Sequence, residues 1–155
     1  MLSIRWHQWV FVLLVALAAG CSDAKNLYVY SMVAKTVGET TIAEVSVKSE
    51  LPRFAHIWGG LAKGGWKQYS DVEPREALSS GIVSWRLNGK KVEVPFLIDP
   101  PPAEMVERIR TSGVEVNGFV DHSELQLMFE INPDESSARV FWYESKFPPL
   151  SPPKS

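Results

Sequence analysis

The chain has 155 residues, 45% of them hydrophobic and 22% charged, with 16 basic against 18 acidic side chains for a formal net charge of −2. That length suits one domain with a conventional core. The single cysteine excludes an intramolecular disulfide, and the scattered charge lacks the clustered Lys and Arg of a nucleic-acid-binding surface.

Arg5 is the only permanently charged side chain among the first ten residues, and Trp9 to Ala19 carry no polar side chain at all. A short positive segment followed by 7 to about 15 apolar residues is the pattern of an export signal. It is shorter than the roughly 20 residues a membrane-spanning helix needs. The run ends in Leu17-Ala18-Ala19-Gly20-Cys21, which resembles the lipobox of bacterial lipoproteins. Ala18 stands three places before the cysteine, where that family prefers Leu. The resemblance implies cleavage after a signal peptide of residues 1–20, lipid on Cys21 and a lipidated tether over 21–26. An ordinary secretory signal with Cys21 as a bystander is the alternative. Lipidation in this family places more than one acyl chain, and each buried methylene contributes about 0.8 kcal/mol, so the membrane contact would be durable. Ser22 rather than Asp after the cysteine implies sorting to the outer membrane, taken as facing the periplasm. The expected cofactor list is otherwise empty.

Past the tether, Leu27 to Val33 and Ile42 to Lys48 are rich in β-branched and aromatic residues, and the second alternates with period two. Both are expected strands. Phe54 to Trp58 is a third, followed by a loop, Gly59-Gly60-Leu61-Ala62-Lys63-Gly64-Gly65. The strongest local signal is Asn88-Gly89 between two alternating runs, since a two-residue type I′ turn needs positive φ at both central positions. Counting outward pairs Leu87 with Lys90, Trp85 with Val92 and Val83 with Val94 on one apolar face. Arg86 with Lys91 and Ser84 with Glu93 make the wet face. After three prolines, Met105, Val106 and Ile109 recur at helical spacing, with Glu104 and Arg108 four apart. A short helix over about 102–111, closed by Gly113, is expected. Ser123 to Ile131 alternates cleanly and turns at Asn132-Pro133-Asp134 into Arg139 to Glu144.

These elements predict a single mainly β domain over residues 27–147, an antiparallel sandwich or curved sheet of about six strands with one helix. Pro148 to Ser155, with two Pro-Pro pairs, reads as an irregular tail.

Most chemical templates fail on this sequence. Counting from Gly59, a phosphate-binding loop would need Gly-Lys-Ser/Thr where Gly64-Gly65-Trp66 stand. His56 and His122 are far apart and Cys21 is committed to lipid, so no metal site is expected. Asp121-His122-Ser123 holds the residue types of a nucleophilic triad, but sequence neighbours do not form one by adjacency. The carboxylate pairs Glu73/Glu76 and Asp134/Glu135 fall in polar, solvated segments where no burial would shift a pKa. What remains is Trp58 and Trp66 flanking the glycine loop. Interfaces favour Trp and Tyr, and glycine lets a backbone approach closely, so Trp58, Gly59, Gly60, Gly64, Gly65 and Trp66 are the expected contacts with a protein partner.

From Val45 to Tyr143, the glycine loop, the strand with Val83-Ser84-Trp85, the polar strand after it and the closing Arg139-Val140-Phe141-Trp142 resemble small lipoproteins of Gram-negative bacteria. Some of these are immunity proteins against toxins of the type VI secretion system. The resemblance implies a protein-binding module on a lipid anchor. An envelope assembly factor is the second reading and a hydrolase the third.

Overall fold

The structure, a computed structural model, describes residues 26–50, 52–70, 73–112, 115–116, 119–120 and 122–147. The segment expected to be a signal peptide, Cys21, Gly113, Asp121 and residues 148–155 lie outside those residues.

Alternation of inward apolar with outward polar side chains builds two four-stranded sheets. In chain order the strands are β1 (Leu27–Tyr28), β2 (Ser31–Thr36), β3 (Ile42–Glu50), β4 (Arg53–Leu61), β5 (Trp66–Ser70), β6 (Arg75–Glu76), β7 (Ser80–Leu87) and β8 (Lys90–Leu97). Helix α1 (Ala103–Thr111) follows, then β9 (Glu115–Val116), β10 (Phe119–Val120), β11 (His122–Asn132) and β12 (Ser137–Phe147). The first sheet runs β12-β11-β2-β5 and the second β4-β3-β7-β8, while β1 pairs β6 and β9 pairs β10 as short ribbons. Met32, Ala34, Leu125, Leu127, Phe129 and Ile131 of the first sheet share one core with Ile42, Val45, Val47, Val83, Trp85 and Trp58 of the second. The result is a β sandwich. Each fully buried side chain of Val, Leu, Ile or Phe contributes about 1.5–3 kcal/mol, and no disulfide is needed.

The Asn88-Gly89 hairpin forms as expected. Both residues have positive φ, 51° and 78°, and Leu87, Trp85 and Val83 pair with Lys90, Val92 and Val94.

Several expectations are corrected. Strand β5 (Trp66–Ser70) is added to the expected ones, and the expected strand from Leu27 is interrupted. The interruption falls at Val29 and Tyr30, where the Tyr30 hydroxyl donates to the Glu76 carbonyl and accepts from the Leu78 amide. One central pair, β2 with β11, is parallel, so the first sheet is mixed. The helix is where it was expected, but Arg108 reaches the carboxylate of Glu144 on β12 at 3.0 Å, while Glu107 pairs with Arg110. The Glu144 side chain is only 14% exposed. A carboxylate withdrawn from water attracts the guanidinium more strongly than fully solvated Glu104 would.

Candidate interaction face

The glycine segment is not one loop. Gly59 and Gly60 lie inside β4, opposite an irregularity in β3 where Val45 pairs with Gly59 and Ser46 with Ile57. Only residues 62–65 turn. Gly64 has φ 61°, and a Cβ on Gly65 would lie 2.9 Å from the Ala62 carbonyl oxygen. Both glycines are therefore explained by the turn itself. The turn is tied to β2, since the buried Thr36 hydroxyl donates to Ala62 O at 2.7 Å and the Thr36 amide to Gly65 O at 2.9 Å. This bracing carries the chain from the second sheet to the first and fixes the start of β5.

Trp58 and Trp66 consequently do not form a pair. Trp58 is 7% exposed and packs on Phe129 and His56, with ring centroids 5.5 and 4.9 Å apart. It belongs to the core. Trp66 begins β5, is 63% exposed and lies opposite Lys35. Only the latter is placed to touch another molecule.

Around Trp66 the strand registers define the outer face of the first sheet. One row across the strands is Trp66, Lys35, Glu130 and Arg139; the next is Gln68, Val33, Met128 and Phe141; the third is Ser70, Ser31, Gln126 and Tyr143. Strands about 4.8 Å apart set the width of this face at roughly 14 Å between outer backbones. Arg139 contacts Glu130 at 3.5 Å and sits 5.5 Å from the Phe141 ring centre. The Gln68 amide donates to Ser70 at 3.0 Å and Glu124 at 3.3 Å. Polar side chains thus frame two exposed aromatics, Trp66 at 63% and Tyr143 at 49%, with Val33 buried and Met128 and Phe141 half-buried between them.

Sequence reasoning missed Val33, Met128, Phe141 and Tyr143. A signal was present in β11, where Met128 interrupts an outward polar series of Glu124, Gln126 and Glu130. It was present again in Val140 to Tyr143, where both phases of the strand are apolar or aromatic.

Two other places hold polar groups together. On the outer face of the second sheet, Glu44, Ser46, Ile57, Ser84 and Arg86 surround a shallow pocket of about 210 Å³. Its serine hydroxyls bond each other at 2.9 Å, and Glu44 is paired with Arg86, so neither hydroxyl meets a base. Between the β4 and β5 edges, the Arg75 guanidinium lies 4.3 Å from the Tyr30 ring centre and 5.5 Å from those of Phe54 and Tyr69. It donates to the Tyr30 carbonyl at 2.9 Å. His56 lies beside this group, 4.2 Å from the Tyr69 ring. Burial, and then the Arg75 charge, push the His56 imidazole below its ordinary pKa. The cluster pins β6 and β1 to the sandwich by cation–π and hydrogen-bond contacts. Among the described residues, no three His, Cys, Asp or Glu side chains converge as metal ligands would, and no helix is long and apolar enough to cross a membrane.

In comparisons with known proteins, the chain matches no family model, no curated protein and no solved structure.

Proposed function

We propose that this protein is a lipoprotein anchored through Cys21 to the periplasmic side of the outer membrane, and that it binds one protein partner through the outer face of the first sheet. The observation that carries the binding half is the exposure of two aromatic side chains, Trp66 and Tyr143, on one sheet face with half-buried Met128 and Phe141 between them. A sheet face turned to water is ordinarily polar, and exposed aromatics among polar neighbours are enriched in protein-binding surfaces. The anchoring half rests on the lipobox-like Leu17 to Cys21. An immunity role against a secreted toxin follows the resemblance of Val45 to Tyr143 to lipoproteins of that kind.

The test is affinity capture from detergent-solubilised envelopes with three forms, the native chain, Cys21→Ala and Trp66→Ala/Tyr143→Ala. Cys21→Ala should lose labelled palmitate yet keep a single stoichiometric partner. The double variant should lose the partner, since an aromatic anchor contributes about 2 kcal/mol or more, roughly 30-fold in Kd. Retention of the same partner by the double variant, or labelling that survives Cys21→Ala, overturns the corresponding half. A toxin as the captured partner supports the immunity role, and envelope-assembly machinery replaces it with an assembly role.

A further inference from the structure

The four sheet edges of the sandwich are not equally protected. Natural edges discourage further pairing by brevity, proline, bulges or lysine. Edge strand β8 contains Pro95, β5 has five residues including Lys67, and β4 carries the irregularity opposite Val45. By contrast β12 spans 11 residues, Ser137–Phe147, without proline, glycine or any shift in its register with β11, and its one lysine, Lys146, stands next to its end. Among the described residues its other side pairs with no strand.

The sequence of β12 is also self-complementary. Two copies related by a two-fold axis perpendicular to the sheet and centred on Phe141 place Phe141 opposite Phe141 and Arg139 opposite Tyr143 on the outer face. On the inner face Val140 meets Trp142, and Ala138 meets Glu144. No charge meets its like, and Arg139, already beside the Phe141 ring of its own chain, gains a second aromatic ring. Moving the centre to Arg139 or Glu144 would set identical charges against each other, which is unfavourable. The Phe141 centre also continues the row Val33, Met128, Phe141 directly into the same row of the second copy.

We propose that β12 is a homodimerisation strand, joining two copies antiparallel about Phe141 into one eight-stranded sheet. This inference does not depend on the protein-binding reading of the face, nor on lipid at Cys21.

Single cysteines in the full-length chain test it, with the wild-type protein, whose only cysteine is Cys21, as background. Opposed residues in an antiparallel pair have Cα atoms about 4.5–5.5 Å apart, inside the roughly 4.4–6.8 Å range of a disulfide. Phe141→Cys should therefore give a disulfide-linked dimer under mild oxidation. Copies of residue 139 would stand about 14 Å apart, so Arg139→Cys alone should stay monomeric, while Arg139→Cys/Tyr143→Cys should cross-link. Ile57→Cys, on the exposed face of the other sheet, reports random collision. Failure of both Phe141→Cys and the double variant to cross-link above the Ile57→Cys level overturns the proposal. So does cross-linking of Arg139→Cys alone equal to that of Phe141→Cys.

Discussion

Replacing each of the two tryptophans beside the crossover turn should have opposite consequences. Trp58 is 7% exposed and wedged between Phe129 and His56, and truncating a buried Trp to Ala costs about 3–5 kcal/mol in lost burial and residual cavity. With a urea m-value of about 1.5 kcal/mol/M for a domain this size, Trp58→Ala should lower the unfolding midpoint by roughly 2–3 M. Trp66 is 63% exposed, and Trp66→Ala should change stability by no more than about 0.5 kcal/mol. Trp58→Phe separates two terms. It keeps a ring in the core but deletes an indole N–H that has no hydrogen-bond partner among the described residues, and a buried unsatisfied donor costs about 1–3 kcal/mol. Its loss should therefore stay under about 2 kcal/mol. Far-ultraviolet circular dichroism reads all three without relying on tryptophan emission. Equal losses for Trp58→Ala and Trp66→Ala would refute the placement of these side chains. A Trp58→Phe loss as large as that of Trp58→Ala would show that the indole N–H is satisfied.

Three further outcomes are expected. Tyr30→Phe removes the hydroxyl that serves both Glu76 O and the Leu78 amide, leaving a buried donor unmet, and should cost about 1–3 kcal/mol in a urea titration. Ser136 closes the β11–β12 turn with φ 51°, and Ser136→Gly should raise stability by up to about 1 kcal/mol, seen as a higher Tm, because glycine takes this conformation without strain. His56 titrates below its ordinary value in the folded protein, so the unfolded chain takes up the proton first as pH falls. The stability tied to neutral His56 is complete above about pH 6.5 and is lost as pH drops from there through the lower folded value. Unfolding measured between about pH 8 and 5 should show a shallower acid decline in His56→Phe than in the native protein, and identical slopes would refute the assignment.

The hairpin about Asn88-Gly89 was readable to the residue because everything that fixes it is local. Turn chemistry sets the register, and the register sets which face holds Trp85, Val92, Val83 and Val94. The parallel pairing of β2 with β11 was not readable. Alternation within Ser31–Thr36 says which side chains point inward but carries no information on the direction of a neighbour about 95 residues away. Strand β5 was missed because exposed Lys67 stands on the phase of Tyr69 and exposed Trp66 on that of Gln68 and Ser70, so neither phase reads as apolar; Lys67 donates to Trp58 O at 2.9 Å. Gly59 and Gly60 looked like a loop because glycine weakens strands, yet here one glycine accommodates the irregularity opposite Val45 with φ 78°. The burial of Trp58 was available by carrying the phase of Phe54 and His56 forward. That phase puts Ile57 outside at 71% exposure, against the usual preference of Ile for the interior, which masks the pattern.

The outward apolar residues of the first sheet bear on the same question from another side. Core formation accounts for Leu125, Leu127, Phe129 and Ile131, all on one phase of β11 and all buried. It does not account for Met128 on the opposite phase, nor for Phe141 and Tyr143 beyond it. In a strand whose inner phase already supplies Val140 and Trp142 to the sandwich, an apolar outer phase gains the domain little burial of its own while exposing aromatic surface. A surface contact by Phe141 and Tyr143, whether with a partner across the face or with a second copy along the edge, removes that surface from water. The two uses make different demands on one residue, Arg139. Its charge should matter little to a partner centred on Trp66 and Tyr143, but its length and guanidinium plane should matter to pairing opposite Tyr143. Arg139→Ala therefore separates them: partner capture should persist while cross-linking through Phe141→Cys weakens.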